Sequence, residues 1–180
     1  MTIMNKEIFI GSVSANDEIR TGYLLMTLRL PRSFSDPQPG QFVMIRIAGL
    51  QDPFLSRPLS IFAFSRGRSH CLVRLLYRVA GKGTQILAGL IPGSQVEISG
   101  PLGKGYTVDP ARENRVLIAG GIGVAPLSLM ARHLCRSESR GENPAVVYLG
   151  AKTADEVVGL DFLRQYCSSI RVCTDDGSLG

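Results

Sequence analysis

The 180-residue sequence predicts a β-barrel followed by an α/β unit built on a parallel sheet. Residues 6–100 carry six short apolar segments, often alternating and separated by turn residues, a pattern typical of a small antiparallel barrel or sandwich. Residues 116–134 instead combine a continuous apolar run, a glycine turn and an amphipathic helix pattern. The Gly/Pro-rich stretch 100–105 lies between them as a linker, so we expect domains at 1–105 and 112–180.

In the first half, strands are predicted wherever an apolar segment is bounded by turn residues. Pro37, Pro39 and Gly40 precede the third segment, and Pro92-Gly93 precedes the last. The predicted strands are 7–14, 23–30, 41–47, 59–64, 71–77 and 95–99, and the one predicted helix of this half is 85–90.

The motif Arg57-Pro58-Leu59-Ser60 is the first candidate for chemistry. An arginine supplies a planar fork of donors that fits phosphate, and a serine hydroxyl can bond the edge of a heteroaromatic ring. The alternative is an exposed arginine before an ordinary edge strand, and the motif alone does not exclude it.

The motif Gly81-Lys82-Gly83-Thr84 directly precedes the short predicted helix. Gly83 and Thr84 would present N–H groups and a hydroxyl at a helix N-terminus, which favours anions. Equally, Thr84 could simply cap the helix by satisfying an amide of its first turn.

The second half begins with the apolar run 116–119, which suits a strand buried on both faces. Gly120, Gly121 and Gly123 then permit a tight turn, and Pro126 suits the first turn of a helix predicted over 126–136. Strand, glycine turn and helix N-terminus form a phosphate-binding geometry, although a glycine turn without a ligand is the alternative. The remaining predicted elements are a strand at 145–149, a helix at 154–166 and a strand at 169–173.

Composition excludes several function classes. The net charge of +5 is modest and its basic residues are scattered, which argues against nucleic acid as a partner. No run of 18 apolar residues occurs, so we expect no membrane span. The cysteines form no C-x-x-C pair, so we expect reduced thiols in a cytoplasmic protein and no bound metal; they are Cys71, Cys135, Cys167 and Cys173.

Five motifs in fixed order carry a family resemblance. They are Ser-Arg-Pro-Leu-Ser-Ile-Phe at 56–62, Leu-Leu-Tyr-Arg-Val-Ala-Gly-Lys-Gly-Thr at 75–84, Gly-Pro-Leu-Gly-Lys-Gly-Tyr at 100–106, Gly-Gly-Ile-Gly-Val-Ala-Pro at 120–126 and Thr-Asp-Asp-Gly-Ser-Leu-Gly at 174–180. Together they resemble the ferredoxin-NADP reductase superfamily. Within it, they are most similar to the electron-transfer subunits of heteromeric, NADH-dependent dihydroorotate dehydrogenases.

The resemblance implies a six-stranded Greek-key barrel that binds FAD, followed by a nucleotide-binding α/β domain. The FAD diphosphate would lie between Arg57 and the helix N-terminus, and Ser60 would bond the flavin edge. Many relatives place an aromatic residue just before this serine; here Leu59 stands there, so stacking on that face must be weaker or come from elsewhere. The implied cofactor-binding residues are Arg57, Pro58, Leu59, Ser60, Leu76, Tyr77, Arg78, Gly83, Thr84, Gly121, Gly123, Pro126 and Asp175.

The same resemblance implies a function without a catalytic acid or base. The chain would be a flavin-dependent NADH oxidoreductase subunit of pyrimidine biosynthesis, passing electrons from NADH towards an FMN-containing dihydroorotate dehydrogenase catalytic subunit. Alternatives are a diaphorase-like subunit of another NADH-dependent ferredoxin or sulfide oxidoreductase, or a non-catalytic flavin-binding module.

Two features refine this expectation. NADP-specific relatives follow the third strand of this domain with a serine and an arginine, whereas this chain has Thr174-Asp175-Asp176, whose carboxylates suit the free ribose diol of NADH. A turn is the alternative role for this stretch. Full relatives also continue into further strands and a cysteine-rich [2Fe–2S] segment, so we expect this chain to be part of a longer subunit, with the strand at 116–119 at a sheet edge.

Overall fold

The computed structural model describes residues 7–49, 56–109, 115–137 and 145–180. It contains a closed six-stranded antiparallel barrel and a three-stranded parallel sheet with helices, which confirms the predicted fold class. The expected second-domain start at 112 lies outside the described residues, so the two domain boundaries stay predictions.

The barrel is a Greek key that closes on itself. Its order is β1-β2-β5-β4-β3-β6, so β6 returns to lie beside β3, and it also pairs with β1. A short helix, α1 (Lys82–Ala88), lies between β5 and β6 in the chain. The strands are β1 (Ile8–Arg20), β2 (Tyr23–Pro31), β3 (Phe42–Ile47), β4 (Arg57–Arg66), β5 (His70–Arg78) and β6 (Gln95–Leu102).

The barrel interior is filled by alternate side chains from every strand, as closure of a small barrel requires. Met26, Ile45, Ile61, Leu75 and Ile98 are fully buried there. The helix α1 packs against the same core through Leu87. The structure thus selects the barrel and excludes the sandwich that the strand pattern had left open.

The first strand runs past the predicted end at residue 14, because β1 continues to Arg20. Asn16-Asp17-Glu18 interrupts the apolar pattern, and register shifts occur at Val13/Ala15 and Glu18/Arg20 in the pairing with β2. Because polar residues and bulges interrupt the alternation of apolar residues, the sequence pattern does not indicate this half of the strand.

The second half alternates strands and helices. The sheet order is β7-β8-β9 with parallel, in-register pairing, so β7 is at one edge, as expected. A 3₁₀ turn at Gly121–Gly123 leads into the long helix, which begins two residues before the predicted 126. The elements are β7 (Val116–Gly120), α2 (Val124–Ser137), β8 (Val146–Ala151), α3 (Leu160–Arg164) and β9 (Ile170–Thr174).

The predicted continuous helix over 154–166 is wrong. The chain instead makes a 3₁₀ turn at Ala154–Glu156, becomes extended at Val157, and passes through Gly159 at φ +77° before α3 begins. Val157 and Val158 are buried in the packing between the two halves, and an added Cβ at Gly159 would lie 3.1 Å from Cγ1 of Val124. Tertiary packing therefore overrides the local helix pattern here.

The two halves share one apolar cluster. Tyr23, Phe62 and Leu76 on the outer face of the barrel pack with Val124 and Ala125 at the start of α2. The Arg132 guanidinium on α2 also donates a 2.8 Å hydrogen bond to the Phe64 carbonyl on β4. This packing fixes the glycine turn before α2 relative to the barrel strands β4 and β5.

Candidate functional site

The start of β4 forms one wall of the candidate site. Over 57–60, β4 pairs with β3, whereas its pairing with β5 begins only at Ile61 with Leu75. Ser60 and Leu76 therefore flank the point at which β4 and β5 part. Among the described residues, the Ser60 hydroxyl has no hydrogen-bond partner, so it is a donor and acceptor at the mouth of this gap.

The side chain of Arg57 lies directly against Gly83 in the first turn of α1. A methyl group added to Gly83 would lie 2.6 Å from both Cζ and Nη2 of Arg57, so only glycine leaves room for the guanidinium there. Helix α1 has no acidic residue in its first turn, and the first amides of any α-helix lack partners within the helix. A guanidinium and a helix N-terminus therefore face the same region, a combination that binds phosphate.

Thr84 does not satisfy an amide of the first turn, the alternative that the sequence left open, because it is itself the third residue of α1 and its side chain reaches back to the loop before the helix. Its hydroxyl oxygen accepts hydrogen bonds from the amides of Ala80 and Gly81, at 2.9 and 3.1 Å, and the hydroxyl donates to the Gly81 carbonyl at 2.9 Å. The side chain therefore shapes the loop before α1. Direct contact of this hydroxyl with a ligand stays a prediction.

Leu76 and Tyr77 have side chains that are only 2% exposed. Leu76 packs in the cluster between the two halves, and Tyr77 points into the barrel, where its hydroxyl donates to Oδ1 of Asn16 at 3.0 Å. Burial raises the pKa of Tyr77 to about 12. Because these two side chains are buried, this segment can contact a ligand between β4 and β5 only through its backbone and through Arg78. The Arg78 side chain is exposed and lies over the Tyr23 ring.

The glycine turn after β7 is open on its outer side. Gly121 has φ +49°, a conformation that glycine adopts without strain. Among the described residues, no atom lies within 4 Å of a Cβ added to Gly121 or Gly123. Pro126 is the third residue of α2, where its missing N–H costs no hydrogen bond. The turn thus combines an anchored helix start with backbone that a ligand can approach closely.

The carboxyl ends of all three parallel strands meet beside this turn. Gly120 is paired with Gly150, and Ala151 with Thr174, so the residues after β7, β8 and β9 share one edge of the sheet. This edge is where open α/β sheets bind nucleotides. Asp175 lies there, exposed, with its amide bonded to the Ala151 carbonyl at 3.0 Å.

Asp176 forms the turn that the sequence had offered as an alternative. Its carboxylate accepts hydrogen bonds from the Ser178 hydroxyl at 2.6 Å and the Ser178 amide at 3.0 Å. These hydrogen bonds lower the pKa of Asp176. Gly177 completes the turn at φ +70°. Both neighbouring carboxylates are exposed, but Asp176 is engaged in this turn, whereas the described residues offer the Asp175 carboxylate no hydrogen bond.

Asn16 is a functional candidate that sequence reasoning missed. Its side-chain amide donates to three carbonyls at the end of α1, while its oxygen accepts from Tyr77. The only sequence signal was a polar residue within a region of alternating apolar residues, and that signal instead suggested the end of a strand.

Other features of the described residues carry no chemistry of this kind. Cys71 and Cys167 are buried and Cys173 is exposed, while the Cys135 side chain lies outside the described residues. No helix within the described ranges has the length and apolar character needed to cross a membrane.

Comparison with known proteins gives a consistent result. The model of the oxidoreductase FAD-binding domain family matches residues 11–106, more than half of the chain. The electron transfer subunit of dihydroorotate dehydrogenase B (NAD(+)) from Desulforamulus reducens is 39% identical over 142 residues, covering 79% of this chain and 52% of that protein. The subunit of the same name from Clostridium acetobutylicum is 31% identical over 179 residues, covering 98% of this chain and 65% of that protein.

A solved structure shows the same fold. Phthalate dioxygenase reductase, described as a modular structure for electron transfer from pyridine nucleotides to [2Fe–2S], superimposes with a TM-score of 0.76. The match covers 94% of this chain and 52% of that one at 18% identity, so it bears on the fold alone. The chain spans between about half and two thirds of the length of these proteins.

Proposed function

Since the chain belongs to the oxidoreductase FAD-binding domain family, we propose that it is the flavin- and NADH-binding portion of an electron-transfer subunit that serves a dihydroorotate dehydrogenase. The observation that carries this proposal is the placement of Arg57 on Gly83 at the N-terminus of α1. The names of the relatives suggest the reaction, and the contact between Arg57 and α1 supports this place for the cofactor.

The residues present fit FAD. Arg57 would neutralise the diphosphate, and the first-turn amides of α1, held in place by Thr84, would donate to its oxygens. Ser60 would bond the edge of the flavin ring where β4 and β5 part, flanked by Pro58 and Leu59 on β4. When bound, FAD supplies the redox chemistry that links a two-electron donor to a one-electron acceptor.

The second half would orient NADH towards the same place. The turn at Gly121–Gly123 would receive the pyrophosphate, and the exposed Asp175 would accept hydrogen bonds from the ribose diol. Val124, Ala125 and Leu76 pack together, so the nucleotide turn is held next to the end of β5. The chain's own contribution is therefore binding and orientation, with no side chain required to transfer a proton.

The partner would be a separate catalytic subunit. The relatives are named as electron transfer subunits, which implies a second subunit that handles dihydroorotate. We propose an FMN-containing catalytic subunit as the acceptor. A [2Fe–2S] cluster would belong to the full-length form and not to the four cysteines of this chain.

An anaerobic reduction assay tests the proposal. The FAD-loaded chain is mixed with NADH or NADPH, and bleaching of the flavin absorbance is followed. The return of this absorbance on adding the catalytic subunit and orotate is then followed with the full-length subunit, which would carry the cluster. We expect reduction by NADH in preference to NADPH and reoxidation only with that subunit. Reoxidation by ferredoxin and not by the catalytic subunit would replace this proposal with the diaphorase alternative.

An Asp175→Ala variant isolates the nucleotide site in the same assay. We expect its concentration of half-maximal rate for NADH to rise about five- to tenfold, as for loss of a hydrogen bond to a carboxylate. Asp155→Ala is the control, since Asp155 is also an exposed aspartate but lies in the 3₁₀ turn after β8. Equal effects of the two substitutions would remove Asp175 from the site.

A further inference from the structure

We propose that Asn16 is a positioning residue that sets the place of α1 in the barrel and, through α1, the geometry of the diphosphate site. This inference rests on the proposed function, because it concerns the same FAD site. It assigns a role to a side chain far from any candidate ligand contact in sequence, 67 residues before Gly83.

Asn16 holds the C-terminal end of α1. Its Nδ2 donates to the carbonyl oxygens of Leu87, Ala88 and Leu90 at 2.9, 3.2 and 3.1 Å. The last carbonyls of a helix have no partner within the helix, so an external donor at this point stabilises the helix end where it lies. The Asn16 side-chain nitrogen has only two hydrogens for these three oxygens, so at least one N–H is shared between two carbonyls and neither N–H is left without an acceptor.

The orientation of the Asn16 amide is fixed by Tyr77. The Tyr77 hydroxyl donates to Oδ1 of Asn16 at 3.0 Å, so the oxygen must face the tyrosine and the nitrogen must face the helix. Asn16 pairs with Met26 and Tyr77 with Leu24, two residues whose side chains lie in the barrel core. A tyrosine whose pKa lies near 12 stays protonated and donates at any physiological pH.

The link to the ligand site is the helix itself. Only seven residues long, α1 is held at one end by Asn16 and at the other by the Thr84 bonds to the loop at Ala80 and Gly81. The contact of Gly83 with Arg57 has no room for a single methyl group, so a small displacement of α1 would alter it. Loss of the Asn16 amide would therefore act on diphosphate binding without touching the ligand.

A comparison of two flavins separates positioning from general destabilisation. FAD carries the diphosphate, whereas riboflavin lacks phosphate and can engage only the end of the site near Ser60. Dissociation constants of both are measured for the 180-residue chain and for its Asn16→Ala and Tyr77→Phe variants. The control is Leu30→Ala. Leu30 is also buried, but it lies near the end of β2, whereas Tyr77 pairs with β2 near its start.

We expect FAD to bind about tenfold more weakly to Asn16→Ala and about threefold more weakly to Tyr77→Phe, with riboflavin affinity unchanged in both. Leu30→Ala would leave the ratio of the two affinities as in the wild type, whatever its thermal stability. Equal losses for FAD and riboflavin in the Asn16 and Tyr77 variants, or no loss at all, would overturn the inference. A wild-type chain that binds neither flavin would instead overturn the proposed function, and this inference with it.

If Asn16→Ala does not fold, the Tyr77→Phe variant tests the role of the Asn16 amide, because it keeps the ring and removes only the hydroxyl that orients this amide. An unchanged FAD-to-riboflavin ratio in that variant would count against the role of the Asn16 amide. A changed ratio with unaltered far-ultraviolet circular dichroism would support it.

Discussion

Gly83 shows how the absence of a side chain makes room for the guanidinium of a residue from another element. Its backbone needs no positive φ, so the requirement for glycine comes from the guanidinium of Arg57 packed on its Cα. Sequence reasoning identified both residues but as members of separate motifs. Their contact depends on barrel closure, which brings β4 and the loop after β5 together, and no local pattern contains that information.

A Gly83→Ala substitution separates ligand binding from stability. Alanine is the better helix former by roughly 0.5–1 kcal/mol, so we expect no loss of thermal stability from the backbone. The added methyl would push Arg57 aside, and FAD would bind about tenfold more weakly. Gly89→Ala is the matched control, since a methyl there would make only ordinary contacts at 3.6 Å and beyond. Equal FAD affinity in the two variants would contradict the assigned contact.

Tyr77 gives a prediction about alkaline pH. Its pKa is about 12 in the folded chain, against about 10 in an unfolded chain. Between these values the unfolded state loses the proton first, so the free energy of unfolding falls as pH rises from about 10 to about 12. Urea unfolding across this range should show the fall in the wild type and a smaller fall in Tyr77→Phe. Identical pH profiles would mean that Tyr77 does not carry the effect.

At the scale of elements, the sequence predicted the nine strands found within the described ranges and failed where packing or bulges override the local pattern. Apolar alternation located the central part of each barrel strand because alternate residues face the barrel core, and apolar runs located the three strands of the parallel sheet. The apolar pattern did not predict the structure of the polar second half of β1 or of the segment 154–166. In the first case bulges break the period, and in the second the buried pair Val157-Val158 is extended against the barrel.

The segment before α3 makes a stability prediction. Gly159 has φ +77° and is close to Val124, so Gly159→Ala adds a strained backbone of about 1–2 kcal/mol and a tight contact. Gly177 has φ +70° but open space around an added Cβ, so Gly177→Ala reports the backbone cost alone. We expect Gly159→Ala to lower the free energy of unfolding more than Gly177→Ala does. A difference of zero would mean that Val124 moves aside freely.

At the scale of the whole molecule, the barrel and the parallel sheet are joined by one apolar cluster. Leu76 contributes to it from the barrel, and Val124 and Val158 contribute from the α/β half. The sequence predicted both halves and their order, but it held no signal for which faces meet. The prediction that the run 116–119 is buried on both faces is wrong, because Val116 and Ile118 are 55% and 74% exposed on the face of β7 that turns away from this cluster.

The location of the candidate site follows from this arrangement. The gap between β4 and β5 and the N-terminus of α1 are brought together within the barrel, and packing of the two halves places the glycine turn before α2 beside β4 and β5. Motifs predicted most of the residues, since glycines, arginine and serine carry local signals. Asn16 and Tyr77 act through the barrel interior, so their roles were visible only in three dimensions.

Equilibrium titration of the 180-residue chain with FAD measures whether Arg57 and the start of α1 hold the diphosphate. We expect one equivalent of bound FAD, and a dissociation constant about 10- to 100-fold weaker in Arg57→Ala because a charged hydrogen-bonding partner of the phosphate is lost. Arg29→Ala, which removes the same charge from an exposed position on β2, would leave the constant unchanged. A wild-type chain without affinity for FAD, or equal binding by both variants, would contradict the account.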